Sequence, residues 1–448
     1  MIEFMEKMIK FAKKSHYKAI MLVEFSVSNY LSFKDKRSLS LQSTPIKDHP
    51  ECVITNRHKL LKGAVIYGAN ASGKSNFVRA VSTMRRLVLR SFEMSSATEL
   101  DITPFLLHSG FESKPSHFEA VFLINSTRYR YGFEVDNTSV RGEWLFEAKK
   151  YTEKPLFIRE NGGIHVFPAF KEGKDLEEKT RDNSLFLAVV DQFNGTIAKN
   201  IVHWFSSLIT VSGLSHEGYK LVTFKMLEDD ITKPALQKFY DKLDLGFDDL
   251  KIVKKTFDSG ELSQNVPEAI LQQMVTDLEG KTLVHVKTLH KKYNDDQGIV
   301  KLEEFDLRSQ ESAGTNKIFN ISGPIFDVLA GGGVLLVDEL DASLHPLLTL
   351  SIAKLFNSCE NNPRNAQLIF STHDTNLLRY GNYRRDQVFF VEKDKFGASD
   401  LYSLVEYNEN GKKVRNDRSF EKDYIQGRYG AIPYIGDIKT LLTKWQEN

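Results

Sequence analysis

Ala64-Val65-Ile66-Tyr67-Gly68-Ala69-Asn70-Ala71-Ser72-Gly73-Lys74-Ser75-Asn76 reads as an apolar strand that breaks into a glycine loop and then opens a helix. Gly68 to Ser75 is a full G-x-x-x-x-G-K-[ST] phosphate loop. The glycines let backbone N–H groups turn inward, and the helix N-terminus adds partial positive charge, so the loop suits a polyphosphate. Gly68, Asn70, Ala71, Ser72, Gly73, Lys74, Ser75 and Asn76 are therefore the candidate ATP-binding residues. Lys74 is placed to meet the β- and γ-phosphates, and Ser75 to offer its hydroxyl to Mg²⁺. The strand before the loop and the helix after it (Phe77-Val78-Arg79-Ala80-Val81) separate it from an ordinary glycine turn. They set the expected fold class as α/β.

Working outward, Val334-Leu335-Leu336-Val337-Asp338-Glu339 is an apolar strand that ends in two carboxylates. Such a strand delivers Asp338 to a Mg²⁺ shell and Glu339 beside an attacking water, as nucleoside triphosphate hydrolysis requires. Leu340-Asp341-Ala342-Ser343-Leu344-His345-Pro346 leads from it into a helix. Ala366-Gln367-Leu368-Ile369-Phe370 is another strand, and it ends in Ser371-Thr372-His373-Asp374. A histidine at that tip, beside the acid-bearing strand, can reach a γ-phosphate and report its loss. Upstream, Ser309-Gln310-Glu311-Ser312-Ala313-Gly314-Thr315 opens a helix with small and hydroxyl residues, a second anion site. Its natural use is to close on the nucleotide of another copy.

The rest of the chain sets the frame. Its 448 residues are 41% hydrophobic and 27% charged with a net charge of +1, which fits a multi-domain globular protein and excludes a globally basic nucleic-acid coat. Two cysteines form neither a disulfide framework nor a metal spacing and point to a cytoplasmic home, and no apolar run suggests a membrane span. Residues 1–20 read as a basic amphipathic leader helix. Residues 21–175 read as an N-terminal lobe holding the phosphate loop and an antiparallel meander through 117–151. Residues 176–305, including Glu268-Ala269-Ile270-Leu271 and its continuation, read as a helical insertion, and 306–448 as a C-terminal lobe.

In this order, the motifs resemble the ABC-type AAA ATPases of the SMC, RecF and OLD group, where a segment like Glu311-Ser312-Ala313-Gly314-Thr315 stands in for the transporter signature. More narrowly, the chain is similar to the stand-alone ATPases of bacterial anti-phage and abortive-infection systems, the RloA, AbiL-type and AriA-type proteins. Ser28-Asn29-Tyr30-Leu31-Ser32-Phe33, Tyr131-Gly132-Phe133, Asn183-Ser184-Leu185-Phe186-Leu187 and the tail Tyr424-Ile425-Gln426-Gly427-Arg428-Tyr429-Gly430-Ala431 carry this likeness. The resemblance implies an ABC-type P-loop ATPase head: a mixed central sheet, an antiparallel β-subdomain and a helical insertion. It implies a homodimer or higher oligomer with composite ATP sites. Ser312 and Gly314 would act in trans, Asp341 would lie in the D-loop at the seam, Glu339 would be the general base and His373 the switch histidine. Ser75 and Asp338 would hold Mg²⁺. Gln192 is the nearest candidate for a Q-loop glutamine.

What is missing also informs. After His373 there is no E…D-x-D cluster of the kind a Toprim nuclease needs, and His285-Val286-Lys287-Thr288-Leu289-His290 lacks the arginine of an R-x4-H ribonuclease. A nuclease or toxin effector is therefore expected on a separate polypeptide. Basic clusters at Lys34/Lys36/Arg37, Arg384/Arg385 and Lys412/Lys413/Arg415/Arg418 are solvated faces by default, and any DNA contact would have to be a focused stripe. Two other readings stay open: a RecF-like DNA-repair ATPase that grips DNA, and a scaffold whose ATP is structural.

Overall fold

The computed structural model describes residues 20–432 except 56, 150–151, 215–216, 257–281, 380–382, 410–411 and 415–417. The leader helix and the helix expected around 268–280 fall outside the described residues. The chain divides into two compact units, one of residues 216–324 and a larger one formed by the segments on either side.

Two sheets build the larger unit. A six-stranded sheet has the order Leu208–Ser212, Val334–Asp338, Gln367–Ser371, Gly63–Tyr67, Val388–Lys393, Ser399–Ser403; the first five strands are parallel and the last is antiparallel. Its strands are short, continuously apolar runs, the pattern of a parallel sheet covered on both faces. The other sheet is a seven-stranded antiparallel meander, from Gly163–Val166 through Lys154–Glu160, Val140–Ala148, Thr127–Val135, Ser116–Ile124 and Ile20–Ser28 to Arg37–Ser40.

Helix Lys74–Arg90 packs against strands of both sheets and against helix Thr196–Ser206. It buries Phe77, Val81, Met84 and Val88, three or four residues apart, on a single stripe. The indole of Trp204 stacks on Phe122 of the meander with ring centroids 4.1 Å apart. Gln367, fully buried, ties the sheets together: its amide nitrogen donates to the carbonyls of Leu22 and Leu61, and its oxygen accepts from Leu22 N–H at 2.7 Å.

The unit of residues 216–324 corrects the expected helical insertion. Helices Lys220–Glu228 and Lys233–Leu243 are present, but Asp249–Thr256, Thr282–Tyr293 and Ile299–Asp306 form an antiparallel three-stranded sheet. The cause is local: Val284, Val286 and Thr288 recur every second residue, and β-branched side chains favour a pleated surface over a helix. The boundary also shifts. Helix Phe186–Gln192 and the apolar stripe Ala198, Ile201, Trp204 and Phe205 of helix Thr196–Ser206 are part of the larger unit's core.

Candidate active site

All five parallel strands deliver their carboxyl ends to one edge, where open α/β sheets bind ligands. That edge carries Gly68–Ser75, Asp338–Glu339, Ser371–Asp374 and Lys393. The phosphate loop owes its shape to its glycines. Gly73, the residue capping helix Lys74–Arg90, has φ of 118°, and an added Cβ would run into the hydroxyls of Ser32 and Ser399. Those serines buttress the loop from behind. Ser399 Oγ donates to the Ser72 carbonyl at 2.5 Å and lies 2.8 Å from Ser32 Oγ, which accepts from Asn76 Nδ2 at 2.8 Å.

Lys74 is 5% exposed, and its ammonium donates to the carbonyls of Gly68 (2.8 Å) and Ala69 (3.0 Å). Burial lowers its pKa, opposed through space by Asp338, Glu339 and Asp341. A buried cation held by its own loop's carbonyls is a receptor for an anion that can replace them.

The acid-bearing strand is locked to its neighbour through Ser371. Ser371 Oγ donates to Asp338 Oδ1 at 2.6 Å and accepts from Glu339 N–H at 2.7 Å. Leu340 N–H donates to the Ser371 carbonyl at 3.1 Å. Between these tethers Glu339 adopts φ of 51°, a left-handed conformation that costs a non-glycine residue about 1 kcal/mol or more and aims its side chain at the site. On the other side, Gly213 N–H donates to the Asp338 carbonyl at 2.6 Å. His373 extends from the adjacent strand, and its N–H donates to Asp341 Oδ2 at 3.1 Å. Its ring reaches solvent, yet partial desolvation and the Lys74 charge lower its pKa, against the pull of Asp341, Glu339 and Asp338. The imidazole is therefore neutral at pH 7 and can both donate and accept.

A cavity of about 330 Å³ is lined by Asn70, Ala71, Ser72, Gly73, Lys74, Ser75, Asn76, Glu339, His373 and Lys393. Of the residues singled out in the sequence, it brings the loop, the second acid and the histidine together. Asp338 and Asp341 are not among the residues that line it, and they act on Lys74 through their charge. Gln192 ends an exposed helix terminus and does not line the cavity, which removes it as the Q-loop candidate. Ser312 and Gly314 belong to the other unit. There Ser312 Oγ caps the helix Ala313–Gly331 by accepting from Thr315 N–H at 3.0 Å. Glu311 is held by His290 Nε2 at 2.7 Å and by the Thr288 hydroxyl at 2.5 Å.

Among the described residues no group of three or more His, Cys, Asp or Glu side chains could hold a metal by itself. The Ser75 hydroxyl and the Asp338 carboxylate suit instead a hard ion that arrives with phosphates, as Mg²⁺ does. Sequence reasoning missed Ser371, Lys393 and the Ser32–Ser399 buttress. Lys393 had a signal, as the last residue of the strand that follows the histidine-tipped one, and Ser32 lay in the quoted Ser28–Phe33; Ser399 had none.

Over residues 64–379 the sequence matches the family described as "AAA domain, putative AbiEii toxin, Type IV TA system". The chain belongs to this AAA family. Its P-loop ATPase head is accordingly of mixed α/β type. No curated protein sequence matches the chain. Among solved structures, the AAA protein is similar to the SMC head domain from Thermotoga maritima, with 13% identity over 85% of this chain and 98% of that one and a TM-score of 0.33. It is also similar to the Smc head domain with an extended coiled coil bound to the C-terminal domain of ScpA from Pyrococcus furiosus, at 10% identity, 86% and 96% coverage and TM-score 0.34. The Smc head domain with a coiled coil and joint from Pyrococcus yayanosii gives 12%, 86%, 97% and 0.34.

Proposed function

We propose that this AAA protein is an ATP-hydrolysing, dimerising switch of cytoplasmic anti-phage defence that licenses a separately encoded effector. The observation that carries the ATPase reading is the convergence of Lys74, Ser75, Glu339 and His373 on one cavity at the carboxyl edge of a parallel sheet. Lys74 exchanges its loop carbonyls for the β- and γ-phosphate oxygens. Ser75 and Asp338 would hold Mg²⁺, which would supply positive charge beside the phosphates. Glu339 takes the proton of the attacking water, and neutral His373 hydrogen-bonds the γ-phosphate and loses that bond on its release. Ser312 and Gly314 of a second copy complete the site, with Asp341 at the seam, so ATP favours the closed dimer.

Ion pairing within the basic clusters favours a protein partner over DNA. Lys36 pairs with Glu119 at 3.1 Å, Arg37 with Asp400 at 2.5 Å, buried Arg384 with Asp386 at 2.9 Å and Arg418 with Asp423 at 2.7 Å. The test is Glu339→Gln, which should bind ATP, lose turnover and accumulate as an ATP-dependent dimer in size-exclusion chromatography. Turnover at the wild-type rate would end the catalytic assignment.

A further inference from the structure

Lys393 lines the nucleotide cavity, yet no step above uses it, and it lies outside the residues matched by the family. Its strand, Val388–Lys393, alternates between two faces. Phe389 and Val391 belong to the apolar core that helix Lys74–Arg90 also fills through Phe77 and Val81, whereas Phe390 packs on Tyr67 and Tyr424. A period of two puts Lys393 on the face of Phe389 and Val391, where the phosphate loop runs into its helix. The cross-strand partner agrees. Lys393 is paired with Ser399, and directly opposed residues project on the same side of a sheet. Ser399 aims its hydroxyl at the loop, donating to the Ser72 carbonyl at 2.5 Å.

The acids on either side of this lysine are engaged elsewhere. Glu392 accepts from the Tyr402 hydroxyl at 3.1 Å, and Asp394 Oδ1 accepts from the N–H groups of Phe396 at 2.9 Å and Ala398 at 2.8 Å. Among the described residues Lys393 has no hydrogen bond or ion pair, so its charge is free for an anion in the cavity. The sheet order decides which part of a nucleotide it meets. Strand Gly63–Tyr67, which carries the loop, has Gln367–Ser371 and then Val334–Asp338 on one side and Val388–Lys393 on the other. Glu339 and His373, the groups for the reacting γ-phosphate, therefore flank the loop on one side and Lys393 on the opposite side. A phosphate chain whose γ end lies at Glu339 and His373 leads away from them, towards Lys393.

We propose that Lys393 is a second phosphate-binding lysine, which meets the α-phosphate end of the nucleotide while Lys74 meets the β- and γ-phosphates. An ammonium that reaches in from the end of a braced strand adds charge-assisted binding remote from the bond that breaks, so it serves ATP and ADP alike. The inference rests on the nucleotide reading of this site.

The experiment compares wild type with Lys393→Met, Lys393→Arg and Lys395→Met, the last replacing an exposed lysine that does not line the cavity. Affinities for ATP and ADP are measured by calorimetric titration, and turnover is measured at varied ATP. In Lys393→Met the Kd values for ATP and for ADP should both rise about tenfold, the effect of one charge-assisted hydrogen bond, with kcat within about twofold. Lys393→Arg, which keeps the charge, should stay within about threefold of wild type for both nucleotides, and Lys395→Met should match wild type. Unchanged ADP affinity in Lys393→Met, a fall in kcat with both affinities intact, or an equal affinity loss in Lys395→Met overturns the proposal. Wild-type protein that binds neither nucleotide, or Lys74→Met protein that binds both as wild type does, overturns the nucleotide reading instead.

Discussion

Replacing Ser371 with alanine isolates the contact that holds the two acids in place. Ser371 is fully buried, and its hydroxyl joins Asp338 Oδ1 (2.6 Å) to Glu339 N–H (2.7 Å). Alanine keeps the backbone pairing with Ile66 and the Leu340 N–H bond to the residue 371 carbonyl, so only the oxygen is lost. Two costs follow. A hydrogen bond to a charged group is worth about 1.5–3 kcal/mol, and an orphaned, part-buried N–H costs about 1–3 kcal/mol. Part of the second is recovered if Glu339 relaxes out of its left-handed conformation. The urea-derived stability should therefore fall by about 2–4 kcal/mol. Relaxation of Glu339 also withdraws the carboxylate from the attacking water. A loss of about 1.5–3 kcal/mol at the transition state lowers kcat about ten- to hundredfold, because 1.36 kcal/mol is one decade. The phosphate loop does not touch this hydroxyl, so ATP affinity by fluorescence titration without Mg²⁺ should change by less than about threefold. Wild-type kcat in a folded Ser371→Ala protein would refute the reasoning, as would an affinity loss equal to the loss in turnover.

Gly213→Ala attacks the same acids from the other strand: its Cβ would fall on the carbonyl oxygens of Asp338 and Glu339, which are backbone and cannot swing away. A stability loss of about 1–3 kcal/mol is expected in urea, and an unchanged midpoint would show that the close approach is not real. His373 is held below its ordinary 6.5, so below that pH the unfolded chain binds a proton that the folded chain refuses, and stability falls on acidification. In a thermal melt series, His373→Asn should gain on wild type as pH drops below 6.5 and hold a constant offset above about pH 7; an offset constant throughout refutes it. Burial pushes the Cys52 thiol up to about 12 while Cys359 is exposed, so an alkylating reagent near pH 8 should label Cys359 in native protein and both cysteines only in denaturant.

What the sequence disclosed and what it concealed divide along a physical line. Gly68–Ser75 and Val334–Glu339 were legible because their chemistry is carried by consecutive residues: strand, turn and helix N-terminus are local, and a local pattern survives in one dimension. Ser371 was not legible as a tether, though it sits in the quoted Ser371-Thr372-His373-Asp374, because its partner Asp338 lies on the neighbouring strand and the pairing of the two strands is set by the whole sheet. The insertion failed for a different reason. Apolar residues occur in both Phe186–Ser206 and Thr282–Tyr293, but only the second has the two-residue period with β-branched side chains, at Val284, Val286 and Thr288, that makes a strand.

Helix Ala313–Gly331 shows how far such control can reach. Pro324 inside it should end the helix, since it lacks an N–H and crowds the preceding turn. The helix nevertheless continues, because Thr223, on another helix of the same unit, inserts its hydroxyl there. Thr223 Oγ1 accepts from Gly323 N–H at 3.0 Å and donates to the Phe319 carbonyl at 2.9 Å, in the turn just before the proline. A side chain on Gly323 would strike the Thr223 backbone, so the glycine beside the proline admits the helix that carries the threonine. Glycine and proline read as a stop in the local sequence; the residue that overrides them lies about a hundred positions upstream and becomes visible only when the two helices pack.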